Sequence, residues 1–289
     1  MQKISSKIEN GTVEFKRAGM AFVALAKYDS PGTREILSDI ESLLCRGKIL
    51  KDSRSTKAVI SEIGSLKVFI KRYNSRSFGH CLKNSLREPR AFRSFRNALA
   101  YLDCGIQTPE PVAAISRREH GILKNSYLVS VAVANAVPTL DFFRTAAENC
   151  EIRNKYLFDI ADILYRMHSC GIVHGDTKLS NFYVSSKNQP ASEFSMGIWD
   201  LDSTRIGKVE ASKNERIKEL TRVIVSWAEI SERLGMEFNI EEIAGKILMY
   251  YAKNNETGIR LHEILLKTEK TLSEKYGNQR NNMDNRLGS

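Results

Sequence analysis

The chain has no apolar run near the ~20 residues needed to span a bilayer. Its opening residues, Met1-Gln2-Lys3-Ile4-Ser5-Ser6-Lys7, lack the apolar core of a secretory signal. The expected location is therefore cytoplasmic. The five cysteines, Cys45, Cys81, Cys104, Cys150 and Cys170, include no C-x-x-C pair, and they read as reduced thiols rather than a disulfide framework. With five histidines and no His/Cys cluster, a structural zinc site has too few ligands.

Acidic residues are the minority charge: 34 Asp and Glu face 44 Lys and Arg, a net +10. Such a balance favours acidic partners, whether nucleic acid, an anionic membrane surface or phosphorylated substrates. The excess is local. Between Lys67 and Arg96 stand Lys67, Lys71, Arg72, Arg76, Lys83, Arg87, Arg90, Arg93 and Arg96 against the single acid Glu88. A solvated face is the plainer reading of such a run, and an anion-binding surface the sharper one. At 289 residues and 42% hydrophobic, the chain can bury a substantial core as one two-lobed domain or two small ones.

Against these absences stands Gly171-Ile172-Val173-His174-Gly175-Asp176-Thr177-Lys178-Leu179-Ser180-Asn181, an H-x-D-x-K-x-x-N pattern. In phosphoryl transfer the Asp accepts the proton of the attacking hydroxyl. The Lys offsets charge on the moving phosphoryl group, and the Asn holds magnesium. A further carboxylate is needed downstream, and Asp200 supplies it in Gly197-Ile198-Trp199-Asp200-Leu201-Asp202-Ser203. Asp-Leu-Asp stands there in the place of D-F-G. His174-Gly175-Asp176 alone would equally be a polar turn between buried strands. With Lys178, Asn181 and Asp200 in register, the combination favours catalysis. His174 reads as an organiser of the loop, and His168 as a packed or capping residue.

The rest of the chain can be placed around this stretch. Residues 1–44, with a strand at 21–26 and a helix at 33–44, are expected to be an extension packed on the first lobe. Residues 45–137 form an N-lobe beginning with three antiparallel strands, around 48–50, 58–60 and 66–71. Val68-Phe69-Ile70-Lys71 is similar to the V-A-I-K strand, which makes Lys71 the candidate nucleotide lysine. The turn that would cover the phosphates, Lys51 to Thr56, has no glycine. Ser53 and Ser55 are its candidates to present N–H groups and Arg54 to add charge, although an ordinary hairpin loop fits as well. Residues 85–102 predict a helix with Phe92, Phe95, Leu99 and Leu102 on one face, and Glu88 is its one acid available to pair with Lys71. After a linker at Asn135 to Pro138 the period becomes helical. Residues 138–276 form a C-lobe with helices at 139–147, 152–170, 213–234, 240–253 and 258–275. Trp227 and Met249-Tyr250-Tyr251 look like core, and the polar tail 277–289 is expected to be disordered.

These residues resemble the bacterial lipopolysaccharide core sugar kinases, the heptose and Kdo kinase group within the protein-kinase-like superfamily. The resemblance covers roughly residues 45 to 235. It rests on Lys71-Arg72-Tyr73-Asn74, the Arg-rich helix running into Gly105-Ile106-Gln107-Thr108-Pro109, the His174 to Asn181 loop, and Ile198-Trp199-Asp200-Leu201-Asp202. It implies an α+β, bilobal protein-kinase-like fold, with a small antiparallel N-lobe sheet and a mostly helical C-lobe. It also implies transfer of the γ-phosphate of ATP to a sugar hydroxyl of the inner core, at the cytoplasmic face of the inner membrane. Asp176 would be the base, Lys178 a phosphate contact, Asn181 and Asp200 ligands of Mg2+, and Lys71 the nucleotide lysine. The basic surface would hold the lipopolysaccharide core or another anionic glycolipid near the negatively charged membrane, and no nucleic-acid partner is expected. Two rivals remain: a kinase of protein or small-molecule hydroxyls, and a kinase-like binding module without catalysis. The second has no physical need for Asp176, Asn181 and Asp200 together.

Overall fold

The computed structural model describes residues 7–9, 11–17, 19–74, 87–185, 193–252 and 257–287. The chain forms two compact units, residues 1–103 with 108–134, and residues 104–107 with 135–289. Arg76, Lys83 and the expected helix start at Ser85 lie outside the described residues, as do Cys81 and the last two residues of the tail.

The first unit is built on one antiparallel sheet. Its strands are β1 (Lys7–Glu9), β2 (Thr12–Arg17), β3 (Met20–Leu25), β4 (Lys48–Asp52), β5 (Thr56–Ile63), β6 (Leu66–Asn74), β7 (Pro111–Glu119) and β8 (Ile122–Val131), ordered β1-β2-β3-β7-β8-β6-β5-β4. The expected N-terminal extension is part of this sheet. Phe22 of β3 faces Ile115 of β7 across the ladder, because Val13, Phe15, Phe22 and Ala24 supply the buried alternation that a sheet half requires. The single helix expected over 33–44 is two, α1 (Pro31–Ser38) and α2 (Ile40–Arg46), the first capped by Ser30 accepting the Thr33 N–H at 3.1 Å.

Each face of the sheet takes its own helical cover. Val68 and Ile70 of β6 pack with Leu37, Ile40 and Leu44 of the α1–α2 pair. On the other face Tyr73 and Ala114 pack with Ala91 and Phe95 of α3 (Arg90–Asp103). Lys71 falls between Ile70 and Arg72 and shares the α3 face with Tyr73, since side chains alternate along a strand. Burying Phe95 here is worth about 1.5–3 kcal/mol.

The second unit carries two small sheets and most of the helix: β9 (Ala136–Pro138), α4 (Thr139–Glu148), α5 (Cys150–Ser169), β10 (Ile172–Val173), β11 (Phe182–Ser185), β12 (Ser195–Ile198), β13 (Arg205–Ile206), α6 (Lys213–Leu234), α7 (Ile240–Ala252) and α8 (Leu261–Leu287). The strands pair as β12-β11-β9 and β10-β13. Helix α6 starts in a Ser212/Glu215 capping box and stops at Gly235, whose φ is 64°. Trp227 and Tyr251 are buried as expected, but Met249 is 61% exposed, because three consecutive helical residues cannot all face one core. The last helix continues to Leu287 where disorder was expected from 277. Cys104 and Cys170, read from sequence as reduced, are paired as a disulfide across 66 residues of sequence. Their contact comes from tertiary folding, which leaves no spacing motif. Among the described cysteines Cys45 and Cys150 are free thiols.

Candidate active site

Helix α5 hands the chain through Cys170 and Gly171 to β10, and the backbone then turns at Gly175. Gly175 has φ 84°, and a Cβ there would come within 2.7 Å of the Ser203 carbonyl oxygen. The residue between His174 and Asp176 must be glycine on both counts.

Glu219 on α6 holds this turn, and the sequence reading missed it. Its carboxylate accepts the backbone N–H of His174 at 3.0 Å and of Gly175 at 2.7 Å, and its own carbonyl accepts the Thr177 hydroxyl at 2.9 Å. The side chain is fully buried. Burial pushes its carboxyl upward, but His168 beside it and the two N–H donors outweigh burial and hold it below the usual carboxylate range. His168, read as packed or capping, is buried between Glu219 and the Tyr251 hydroxyl, the latter at 2.8 Å. The signal for Glu219 was a carboxylate on the core side of a helix, flanked by Leu220 and Val223, where a surface acid does not belong.

Trp199 ties the loop to the strand that carries Asp200. Its carbonyl accepts from His174 Nε2 at 3.1 Å, its N–H donates to the Asn181 carbonyl at 2.9 Å, and its indole N–H donates to the Ser180 carbonyl at 3.0 Å. His174 Nδ1 accepts the Asp176 N–H at 3.2 Å. These partners require the neutral ring protonated on Nε2. Burial lowers the His174 pKa and keeps the ring neutral, with Glu219 opposing.

The polar side chains then converge. Lys178 Nζ lies 3.1 Å from Asp176 Oδ1. Asn181 Nδ2 donates to the Asp176 carbonyl at 2.7 Å and to its Oδ2 at 3.2 Å. The Asp176 carboxylate is thus aimed by Asn181 from one side and met by a cation from the other. Asp200 follows β12 as an exposed residue in the left-handed region, φ 60° and ψ 56°. A non-glycine residue there costs about 1 kcal/mol, and such outliers gather at functional sites. Leu201, the middle residue of Asp-Leu-Asp, is buried behind it.

The remaining expected residues belong to the sheet unit. Lys71 lies opposite Ala58 and Leu128 in the ladder, with Nζ 5.2 Å from the centre of the Tyr73 ring. In the turn after β4 the N–H of Ser53 already donates to the Thr56 carbonyl at 2.9 Å, and the Ser53 hydroxyl accepts the Thr56 N–H at 3.2 Å. Ser53 therefore braces the hairpin, and the expectation that its N–H is presented outward is corrected. The Ser55 and Arg54 carbonyls are held by Asn74 at 3.0 and 3.4 Å, which stiffens a turn without glycine. Glu88, expected to reach Lys71, makes its ion pair with Arg96. It stands before the first turn of α3, where an arginine two turns along is the partner within reach.

A sheet unit with a lysine on an interior strand and a helical unit with an Asp-Lys-Asn loop and a strand-end aspartate define a protein-kinase-like architecture. The family described as Lipopolysaccharide kinase (Kdo/WaaP) matches residues 45–243, and the chain belongs to it. The protein is a kinase, a phosphotransferase acting on a sugar hydroxyl. Among solved structures, one described as "WaaP in complex with acyl carrier protein" shares the fold, with a TM-score of 0.61 and 18% identity over 86% of this chain and 98% of that one. No curated protein sequence matches the chain.

Proposed function

We propose that this kinase transfers the γ-phosphate of ATP to a hydroxyl of a Kdo or heptose residue in the lipopolysaccharide inner core, with Asp176 as the base. The observation that carries the reading is the Asp176 carboxylate, fixed by Asn181 at 3.2 Å and met by Lys178 at 3.1 Å. Asp176 takes the proton of the acceptor hydroxyl as the oxygen attacks phosphorus, and Lys178 offsets the charge that builds on the transferred group. Neutral His174 and Glu219 keep the carboxylate in place without joining the chemistry. Lys71 is the proposed partner of the nucleotide phosphates, supported by its place on an interior strand of the sheet, directly after the apolar run Val68-Phe69-Ile70. Arg54 and Ser55 are proposed to flank them from the turn after β4.

The oxygen donors Asn181 and Asp200 fit a magnesium ion. They are hard ligands, and since no group of three or more His, Cys, Asp or Glu that could hold a metal ion occurs among the described residues, the remaining ligands would be nucleotide phosphates and water, as magnesium commonly takes. Bound there, magnesium would neutralise charge on the β- and γ-phosphates. The chain presents Arg87 and Arg90 before and at the start of α3, where an anionic glycolipid at the cytoplasmic membrane surface is the proposed partner. No helix among the described residues is long and apolar enough to cross a membrane, so this contact is proposed as peripheral.

Incubating the protein with Mg-ATP and two acceptors, one ending in Kdo and one displaying heptose, followed by phosphorus NMR of the products, tests the assignment. Phosphate on one sugar of one acceptor supports the reading and names the hydroxyl. Transfer to protein hydroxyls with neither acceptor modified would replace it with the protein-kinase alternative.

A further inference from the structure

Helix α6 uses one stripe for two purposes. Glu219 holds the catalytic loop, and at helical spacing beyond it come Ser226, Ile230 and Arg233 on the same side. Those three residues, with Glu229 and Glu232, line an open groove of about 500 Å³. Its other walls are Lys178 and Ser180 of the loop, Leu140 of α4 and Lys275 of α8. Lys178 is therefore both a wall of the groove and a neighbour of the Asp176 carboxylate at 3.1 Å. The groove thus reaches the loop one side chain away from Asp176.

The lining limits what that molecule is. A groove for a polyphosphate would be basic throughout, and one for an acyl chain would be apolar. Here acids and bases interleave. Glu229 is ion-paired with Lys275, while Glu232 and Arg233 are exposed and carry no ion pair to one another or to other described residues. The Ser226 hydroxyl accepts the Leu179 N–H at 3.1 Å, which leaves its own proton to donate. Ring hydroxyls both donate and accept, so carboxylates, ammonium groups and hydroxyls around Ile230 and Leu140 match a saccharide with polar edges and C–H faces. Arg233 adds a planar fork suited to a carboxylate or phosphate.

We propose that this groove is the acceptor subsite and that it takes an acidic saccharide, its hydroxyls on Glu229, Glu232 and Lys178 and its anionic substituent on Arg233. The inference rests on the sugar-kinase reading and adds which surface selects the acceptor. The test is calorimetric titration of deacylated core oligosaccharide, without nucleotide, into the full chain and its Arg233→Ala and Glu232→Gln variants. A second titration uses oligosaccharide reduced at its carboxyls and stripped of phosphate.

Losing a charge-assisted hydrogen bond should weaken binding of the acidic oligosaccharide to Arg233→Ala by about tenfold or more. The neutral oligosaccharide should bind wild type and Arg233→Ala equally, and Glu232→Gln should weaken both ligands severalfold. ATP affinity should stay at the wild-type value in both variants. If wild type phosphorylates the oligosaccharide while both variants bind it unchanged, the groove assignment is overturned and the kinase reading stands. If wild type neither binds nor phosphorylates it, both fall.

Discussion

The Glu219 carboxylate accepts the Gly175 N–H at 2.7 Å across 44 residues of sequence, and the His174 N–H with its other oxygen. One side chain on α6 thereby fixes the turn on which Asp176 is mounted. Removing it strands two buried donors, each costing about 1–3 kcal/mol. Glu219→Ala should therefore lower stability by roughly 3–5 kcal/mol. Glu219→Gln keeps one acceptor and should lose less than half of that, with kcat falling more than the affinity for ATP. Thermal melts and steady-state kinetics of the two variants check the ordering.

Asp176→Asn removes the proposed base and leaves the loop's backbone contacts intact. The expected loss in kcat is about 10²–10⁴-fold, with the dissociation constant for Mg-ATP within severalfold of wild type. Turnover close to wild type would remove Asp176 from the base role.

His174 gives the fold a pH dependence of known sign. Its pKa in the folded chain lies below the ordinary 6.5, so on acidification the unfolded chain takes up a proton that the folded chain refuses. Stability should fall as pH drops through about 6.5 toward the folded value, by at most about 1.4 kcal/mol per pH unit. Glu219, also depressed, contributes stability that is present above the ordinary carboxylate range and is lost only as pH falls through its own lower value. Denaturant titrations from pH 7.5 to 5.5 should show a shallower slope in His174→Gln than in wild type, and equal slopes would contradict the neutral buried ring.

Gly175→Ala asks for a left-handed φ of 84° and places a methyl 2.7 Å from a backbone oxygen. The neighbour is main chain and cannot step aside cheaply. The variant should lose about 2–4 kcal/mol in a thermal or denaturant melt and most of its transferase activity.

The proposed reactive groups were legible in sequence because each role demands one residue type at a fixed spacing, and the structure brings Asp176, Lys178 and Asn181 together. Their supports were not legible. Glu219 acts across a gap in sequence that no motif spans, and Trp199 acts through its carbonyl and two N–H groups, which any apolar strand residue would partly mimic. The strand at 12–17 alternates and that at 20–25 is apolar throughout, yet nothing local says which strand they pair with, so they read as an extension instead of as part of the main sheet. Glu88 was assigned to Lys71 as the one acid near it in sequence, whereas Arg96 on the same helix is its partner.

The central claim is that the Asp176 loop places phosphate on a core sugar. Its most direct test is the mass of core oligosaccharide after incubation with Mg-ATP and either wild type or Asp176→Asn. The account predicts a gain of one phosphate with wild type and none with the variant over the same time. No gain with wild type that demonstrably binds ATP, or an equal gain with Asp176→Asn, would contradict it.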